Sequence, residues 1–217
     1  MTLTSKIKLS FFYDIISPHC LPIFTELSKD ITFKNVKLDL KPVIVSNIES
    51  EYGLSTDFVM SKKHNDVKLI NALYKFNMVI PDNWIEILLE NKTEYVQKFL
   101  ANLTSHNETN QKDLININLK LLNLFWVEKK LDIDKTTLED LVKSFTFFNT
   151  EFDYASSEQL NENVNIASNE DVSETPFFIL TAPKNRRYTY RGYESIPLIK
   201  NEIILQKDKL NTVICNL

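Results

Sequence analysis

The sequence predicts an α/β fold in which a β-α-β unit at the start and a β-β-α unit at the end share one sheet, with an all-helical block inserted between them. Three observations lead there. Strand-like apolar runs occur only towards the two ends, and residues 47–169 carry helical spacing instead. The chain of 217 residues also holds only 2 glycines, where average usage near 7% would supply roughly fifteen. A compact, glycine-poor and helix-rich protein is the result.

Ile7 to Tyr13 (IKLSFFY) is apolar and rich in β-formers, and Asp14-Ile15-Ile16-Ser17-Pro18 follows at once, a capping residue with proline at the first helical position. A strand therefore feeds a helix. Cys20 to Leu27 continues that helix, where Pro22 is tolerable only because it lies in the first turns. Phe33 to Leu40 (FKNVKLDL) alternates again and stops at Lys41-Pro42, forming the second strand. Helix starts follow at Pro81-Asp82, at Thr93 and at the capping box Thr136-Thr137-Leu138-Glu139. The most apolar segment of the block is Asp113 to Glu128, whose stripe of Leu114, Ile117, Leu121, Leu124 and Phe125 reads as bundle core. Strand character returns at Phe177 to Leu180, Ala182 to Asn185 forms a turn, and Arg186 to Arg191 is the returning strand. An amphipathic helix from about Ser195 to Leu210 closes the chain. Because connections between paired strands are short where possible, residues 1–46 and 170–217 form the two parts of one sheet domain and 47–169 its helical insertion.

Composition excludes whole function classes. A dinucleotide fingerprint needs three glycines in six residues and a phosphate loop needs two beside a lysine, so neither fits here. A net charge of -4 from 25 basic and 29 acidic residues offers no field for nucleic acid or an anionic membrane. The one basic cluster, Lys184 to Arg187, reads as a solvated hairpin tip. Two cysteines, Cys20 and Cys215, are too few for a secreted disulfide framework and fit a reducing, intracellular setting. The first strand is too interrupted for a signal peptide, and no apolar stretch reaches membrane-spanning length. The glycosylation patterns at Asn91, Asn102 and Asn107 read as chance matches. His19, His64 and His106 fall on separate predicted elements, which leaves no metal-ligand spacing.

The element order is that of the thioredoxin architecture with an all-helical insertion, and several motifs carry a narrower likeness. Phe12-Tyr13-Asp14-Ile15-Ile16-Ser17-Pro18 resembles the FYD-x-x-SP segment of kappa-class glutathione transferases. Leu40-Lys41-Pro42 looks like the family's L-R-P, Thr175-Pro176 looks like its cis-proline dipeptide, and Gly192-Tyr193-Glu194 falls at its Gly-Ser-Asp turn. The likeness implies a thioredoxin-like βαβ…ββα sheet domain, glutathione as co-substrate with no covalently bound cofactor, a small apolar electrophile, a homodimer and a detoxifying role. It also implies the mitochondrion or peroxisome, and neither terminus distinguishes these from the cytoplasm.

At a helix N-terminus, unpaired amides and the macrodipole favour negative charge, so Ser17 suits the stabilisation of a bound thiolate, although an ordinary helix cap has the same spelling. By the resemblance, Lys63 faces the glycyl carboxylate of glutathione, Thr175 and Pro176 pair with its cysteinyl backbone, and Gly192, Tyr193 and Glu194 meet its γ-glutamyl end. This chain departs from the family at Leu54, beside Gly53, where the family has asparagine. It departs again at Tyr193, in place of serine, and at His19-Cys20, in place of an aromatic residue and serine. His19 and Cys20 are accessory candidates: the imidazole as proton donor or as plain helix residue, the thiol as reactive group or as buried inert one.

Ser17-Pro18-His19-Cys20 also resembles the C-P-H-C of bacterial disulfide-bond oxidoreductases with the attacking cysteine replaced. Loss of that nucleophile argues against dithiol exchange. Two alternatives therefore stand beside a transferase: a non-catalytic glutathione- or peptide-binding protein, and a relative of the disulfide oxidoreductases or of 2-hydroxychromene-2-carboxylate isomerases.

Overall fold

A computed structural model describes residues 7–47, 56–90, 92–105, 110–130, 133–143 and 156–215. Strand β1 (Lys8–Tyr13) leads to helix α1 (Cys20–Lys29) and strand β2 (Lys37–Pro42). Six helices follow: α2 (Thr56–Tyr74), α3 (Trp84–Leu89), α4 (Glu94–Ser105), α5 (Gln111–Trp126), α6 (Lys135–Lys143) and α7 (Glu158–Asn169). The chain then closes with β3 (Phe177–Ala182), β4 (Arg186–Arg191) and α8 (Ile196–Cys215). Sheet order is β2-β1-β3-β4, with β1 parallel to β2 and antiparallel to β3, and β3 antiparallel to β4. The expected βαβ and ββα units thus share one mixed sheet, giving the thioredoxin-like arrangement with a helical insertion.

Alternation along β1 explains how both faces of the sheet are covered. Leu9, Phe11 and Tyr13 point into the main core with Phe24 of α1 and with Ile199 and Ile203 of α8. Phe11 stacks on Phe178 of β3 at 4.6 Å between centroids, and Tyr13 meets Phe24 edge-on at 4.9 Å. Phe12, pointing the other way, joins Phe177, Ile179 and Val43 in a second core under Ala167 of α7. Helix α7, which lies within the 47–169 span, therefore acts as a layer on the sheet, and Asn163 ties it there by donating to the Pro42 carbonyl at 3.1 Å.

Three element starts differ from expectation, each for a local reason. The regular turns of α1 begin at Cys20 and not at Pro18, because Pro22 has no N–H to reach back to Pro18, so the first α-type bond runs from Ile23 N to His19 O at 3.4 Å. Phe33 ends a short 3₁₀ turn (Ile31–Phe33) in which Asp30 accepts from Thr32 N, and β2 starts only at Lys37. Helix α6 is capped by Asp134, which accepts from Thr137 N at 2.8 Å, and the Thr136 capping box is not used; an aspartate at the preceding position starts the helix one residue before Thr136. Of the expected α5 stripe, Leu114, Ile117, Leu121 and Phe125 are buried, while Leu124 is partly so.

Candidate active site

The turn between β1 and α1 is built around Asp14. This carboxylate is fully buried; its Oδ1 accepts from Ile16 N at 3.1 Å, and its Oδ2 accepts from Val45 N at 3.0 Å and Thr93 Oγ1 at 3.5 Å. Burial raises its pKa, and the backbone donors oppose that rise. The Asp14 carbonyl accepts from Ser17 N at 3.0 Å and from the Cys20 thiol at 3.2 Å. From the helical block, Trp126 Nε1 donates to Ile15 O at 2.8 Å and Gln97 Nε2 to Tyr13 O at 3.5 Å. Tyr13, Asp14 and Ile15, just before Ser17, are thus fixed by donors from α4, α5 and the segments that precede α4 and follow β2.

Ser17 sits one turn ahead of α1, its carbonyl accepting from Cys20 N at 3.1 Å. It is 3% exposed, and its hydroxyl is buried with no hydrogen-bond partner among the described residues. Cys20 is a free, buried thiol. Burial, then the neighbouring Asp14 charge, pushes its pKa well above the ordinary thiol range, so the thiolate needed for exchange chemistry is suppressed.

Beside this turn lies a cleft of about 660 Å³ lined by His19, Lys63, Thr175, Pro176, Gly192, Tyr193 and Glu194. Ser17 and Cys20 are not among the lining residues. Thr175-Pro176 is a cis peptide. Gly192 N donates to the Pro176 carbonyl at 3.0 Å, and Ser195 Oγ to the Gly192 carbonyl at 2.8 Å, so the turn before α8 is clamped to the loop before β3. Gly192 has φ 71° and ψ 163°, a conformation that glycine adopts without penalty. Lys63 is only 7% exposed and holds its Nζ 5.7 Å from the centre of the Trp84 ring. No carboxylate among the described residues pairs with it.

Sequence reasoning missed Asp66 and Leu69, which also line the cleft. Asp66 Oδ2 lies 3.2 Å from His19 Nε2. Burial would raise the Asp66 pKa, but His19 and then the Lys63 and Lys62 charges bring it below the ordinary carboxylate value. The signal was their spacing, since Asp66 follows Lys62 and Lys63 by one helical turn on α2. Tyr193 stacks on His19 at 5.0 Å and 18° between planes; burial, then Glu194 and Asp66, raises its phenol pKa. The loop with Gly53 and Leu54 lies outside the described residues.

Other sequence candidates fall away from this cleft. His64 is exposed and its Nδ1 lies 2.8 Å from the Met60 carbonyl, and among the described residues no His, Cys, Asp and Glu cluster could hold a metal. Asn102 is buried and donates to the Ser156 carbonyl at 2.9 Å. In the Lys184 to Arg187 cluster, Arg187 pairs with Glu170 and Arg186 donates to Gln206 at 3.0 Å. No helix among the described residues is long and apolar enough to cross a membrane.

The fold places the chain in the thioredoxin-like class with an inserted helical subdomain, and comparison with solved structures agrees. A 2-hydroxychromene-2-carboxylate isomerase superposes with a TM-score of 0.62 at 14% identity, covering 95% of this chain and 98% of that one. The cytosolic disulfide reductase DsbM from Pseudomonas aeruginosa gives 0.61 at 13% identity, with 94% and 99% covered. A Nitrosomonas europaea protein, provisionally named a protein disulfide isomerase, gives 0.64 at 12% identity, with 93% and 99% covered. At these identities the likeness is one of fold. No family model matches the chain, and no curated protein matches it in sequence.

Proposed function

We propose that the cleft binds glutathione and that the chain is a kappa-type glutathione transferase, joining the thiolate of the bound tripeptide to small apolar electrophiles. One observation carries this reading: Lys63, Thr175, Pro176, Gly192, Tyr193 and Glu194, from three separate stretches of sequence, line a single cleft. Its volume of about 660 Å³ falls in the usual range for small-ligand sites, about 300–1,000 Å³. The wall carries both signs of charge, as a zwitterionic tripeptide requires. Lys63, with no carboxylate partner of its own among the described residues, receives the glycyl carboxylate, and Glu194 receives the γ-glutamyl ammonium. Ser17 supplies a hydroxyl that has no hydrogen-bond partner among the described residues and donates it to the thiolate. Leu69, half exposed at the rim, offers an apolar wall to the electrophile. A homodimer, checked by light scattering, belongs to the same reading.

Disulfide exchange is disfavoured, because a serine stands at the attacking position and Cys20 is buried with a raised pKa. A second reading, binding without turnover, draws on the burial of the Ser17 hydroxyl outside the cleft lining. Calorimetric titration with glutathione, followed by conjugation of an activated aryl halide, separates the two. Binding with turnover that Ser17→Ala abolishes supports the transferase; binding without turnover supports the second reading; no binding overturns both.

A further inference from the structure

A second cavity, of about 470 Å³, lies on the face of the sheet turned away from the main core. It shares no lining residue with the cleft beside the β1–α1 turn. Alternation along the strands produces it. Phe12 of β1 and Ile179 of β3 belong to the second core under Ala167 of α7, and the helix stops at Asn169. Where the helix ends, Ile166 and Glu170 form one wall of the cavity, and Lys8, Ser10 and Thr181 of the uncovered strand ends form another. The volume falls within the range of small-ligand sites, about 300–1,000 Å³.

The charges in this wall are not balanced. Asp39 Oδ2 lies 2.8 Å from Lys8 Nζ and accepts from Ser10 Oγ at 2.9 Å, while its Oδ1 lies 3.3 Å from Lys41 Nζ. Burial would raise the Asp39 pKa, but Lys8 and Lys41 outweigh it and bring it below the ordinary carboxylate value. One carboxylate therefore serves two ammonium groups, whereas across the cavity Arg187 and Glu170 pair one to one. A single positive charge is left over beside an apolar floor of Phe12, Ile166 and Ile179. Each ammonium has three donors, so both lysines keep hydrogens for a further acceptor. Thr181, opposite Lys8 in the sheet register, brings a hydroxyl to the same side. We propose that this cavity is a second binding site, for a small carboxylic acid in its ionised form, whose apolar body lies on Phe12, Ile166 and Ile179 and whose carboxylate sits between Lys8 and Lys41. One surplus charge suits a monoanion, and the floor suits a hydrocarbon body and not a bare inorganic ion.

Titration of the full chain with 2-naphthoate, and in parallel with its neutral analogue 2-naphthamide, tests the assignment through the backbone amide resonances. Naphthoate is expected to bind saturably and to shift the amides of Ser10, Asp39, Thr181 and Arg187, and naphthamide to bind about tenfold more weakly, the loss of a charge-assisted hydrogen bond. Lys8→Met removes the surplus charge and brings naphthoate down to the affinity of the amide. Glu170→Gln frees Arg187 from its carboxylate and tightens naphthoate binding, which keeps the test open should Lys8→Met fail to fold. Absence of saturable naphthoate binding overturns the proposal, as do equal affinities for acid and amide. Shifts confined to the other cleft, at Gly192 and Tyr193, or a folded Lys8→Met variant that binds naphthoate as the wild type does, overturn it equally.

Discussion

Replacing Gly192 with alanine asks what holds the turn before α8 against the loop before β3. Its backbone, at φ 71° and ψ 163°, lies in a region essentially restricted to glycine, where other residues cost about 1–3 kcal/mol. An added Cβ would also lie 2.5 Å from Glu194 Cδ. That overlap is cheap to relieve, because Glu194 is exposed and its carboxylate is the free end of a flexible side chain. The backbone cost therefore dominates, at about 2 kcal/mol, which for a domain of this size lowers Tm by about 4–8 °C. Thermal unfolding followed by circular dichroism, on Gly192→Ala alone and combined with Glu194→Ala, measures it. Both variants are expected to fall by the same amount. Recovery of the wild-type Tm in the double variant would refute the argument, since the cost would then lie in the side-chain overlap; an unchanged single variant would show that the turn re-forms at negative φ.

Four other outcomes follow from the β1–α1 turn. Asp14→Ala leaves the Ile16 and Val45 amides without acceptors at about 1–3 kcal/mol each, seen as a lower urea midpoint. Asp14 itself titrates above 3.8 in the folded state, so its contribution is greatest below that pH and shrinks as pH rises through the folded value. The stability of the wild type relative to Asp14→Asn should accordingly decline from about pH 4 upwards, and a gap independent of pH would contradict the burial argument. Cys20, buried and bonded to the Asp14 carbonyl, should resist iodoacetamide in the native protein and react on unfolding; peptide-level mass spectrometry showing rapid native labelling would mean that the turn opens. Ser17→Ala should reduce kcat for aryl-halide conjugation at least about tenfold, the loss of one hydrogen bond to a charged group, with little change in Tm because that hydroxyl has no hydrogen-bond partner among the described residues.

The architecture was legible because its signals are local and strong. Arg186–Arg191 forms β4 over the span expected from its alternation and the turn before it, and the long apolar stripe of α5 is buried as a helix face must be. Boundaries slipped where a missing donor or a competing cap decided them, as at Pro22 and Asp134, since those depend on which single hydrogen bond forms. Within the candidate site, motif residues could be named from their order along the chain. Asp66 could not be picked out, because its spacing one turn after Lys62 and Lys63 marks a shared helix face and no partner; only the fold brings α2 against the start of α1. The same limit applies to Lys63, whose place in the sequence does not show that it is buried over Trp84.

The sheet order has a consequence for how the chain is made. Strand β1 is synthesised long before its antiparallel neighbour β3, which begins at Phe177. At about 5–20 residues per second, one edge of the central strand waits roughly ten to thirty seconds for its partner. Through that interval Phe11 and Phe12 lack the Phe178 and Phe177 rings they will finally meet, and the unpaired edge is a template for any other extended chain. The nascent domain's hazard is therefore concentrated in strand β1, and its release comes only when β3 emerges from the ribosome.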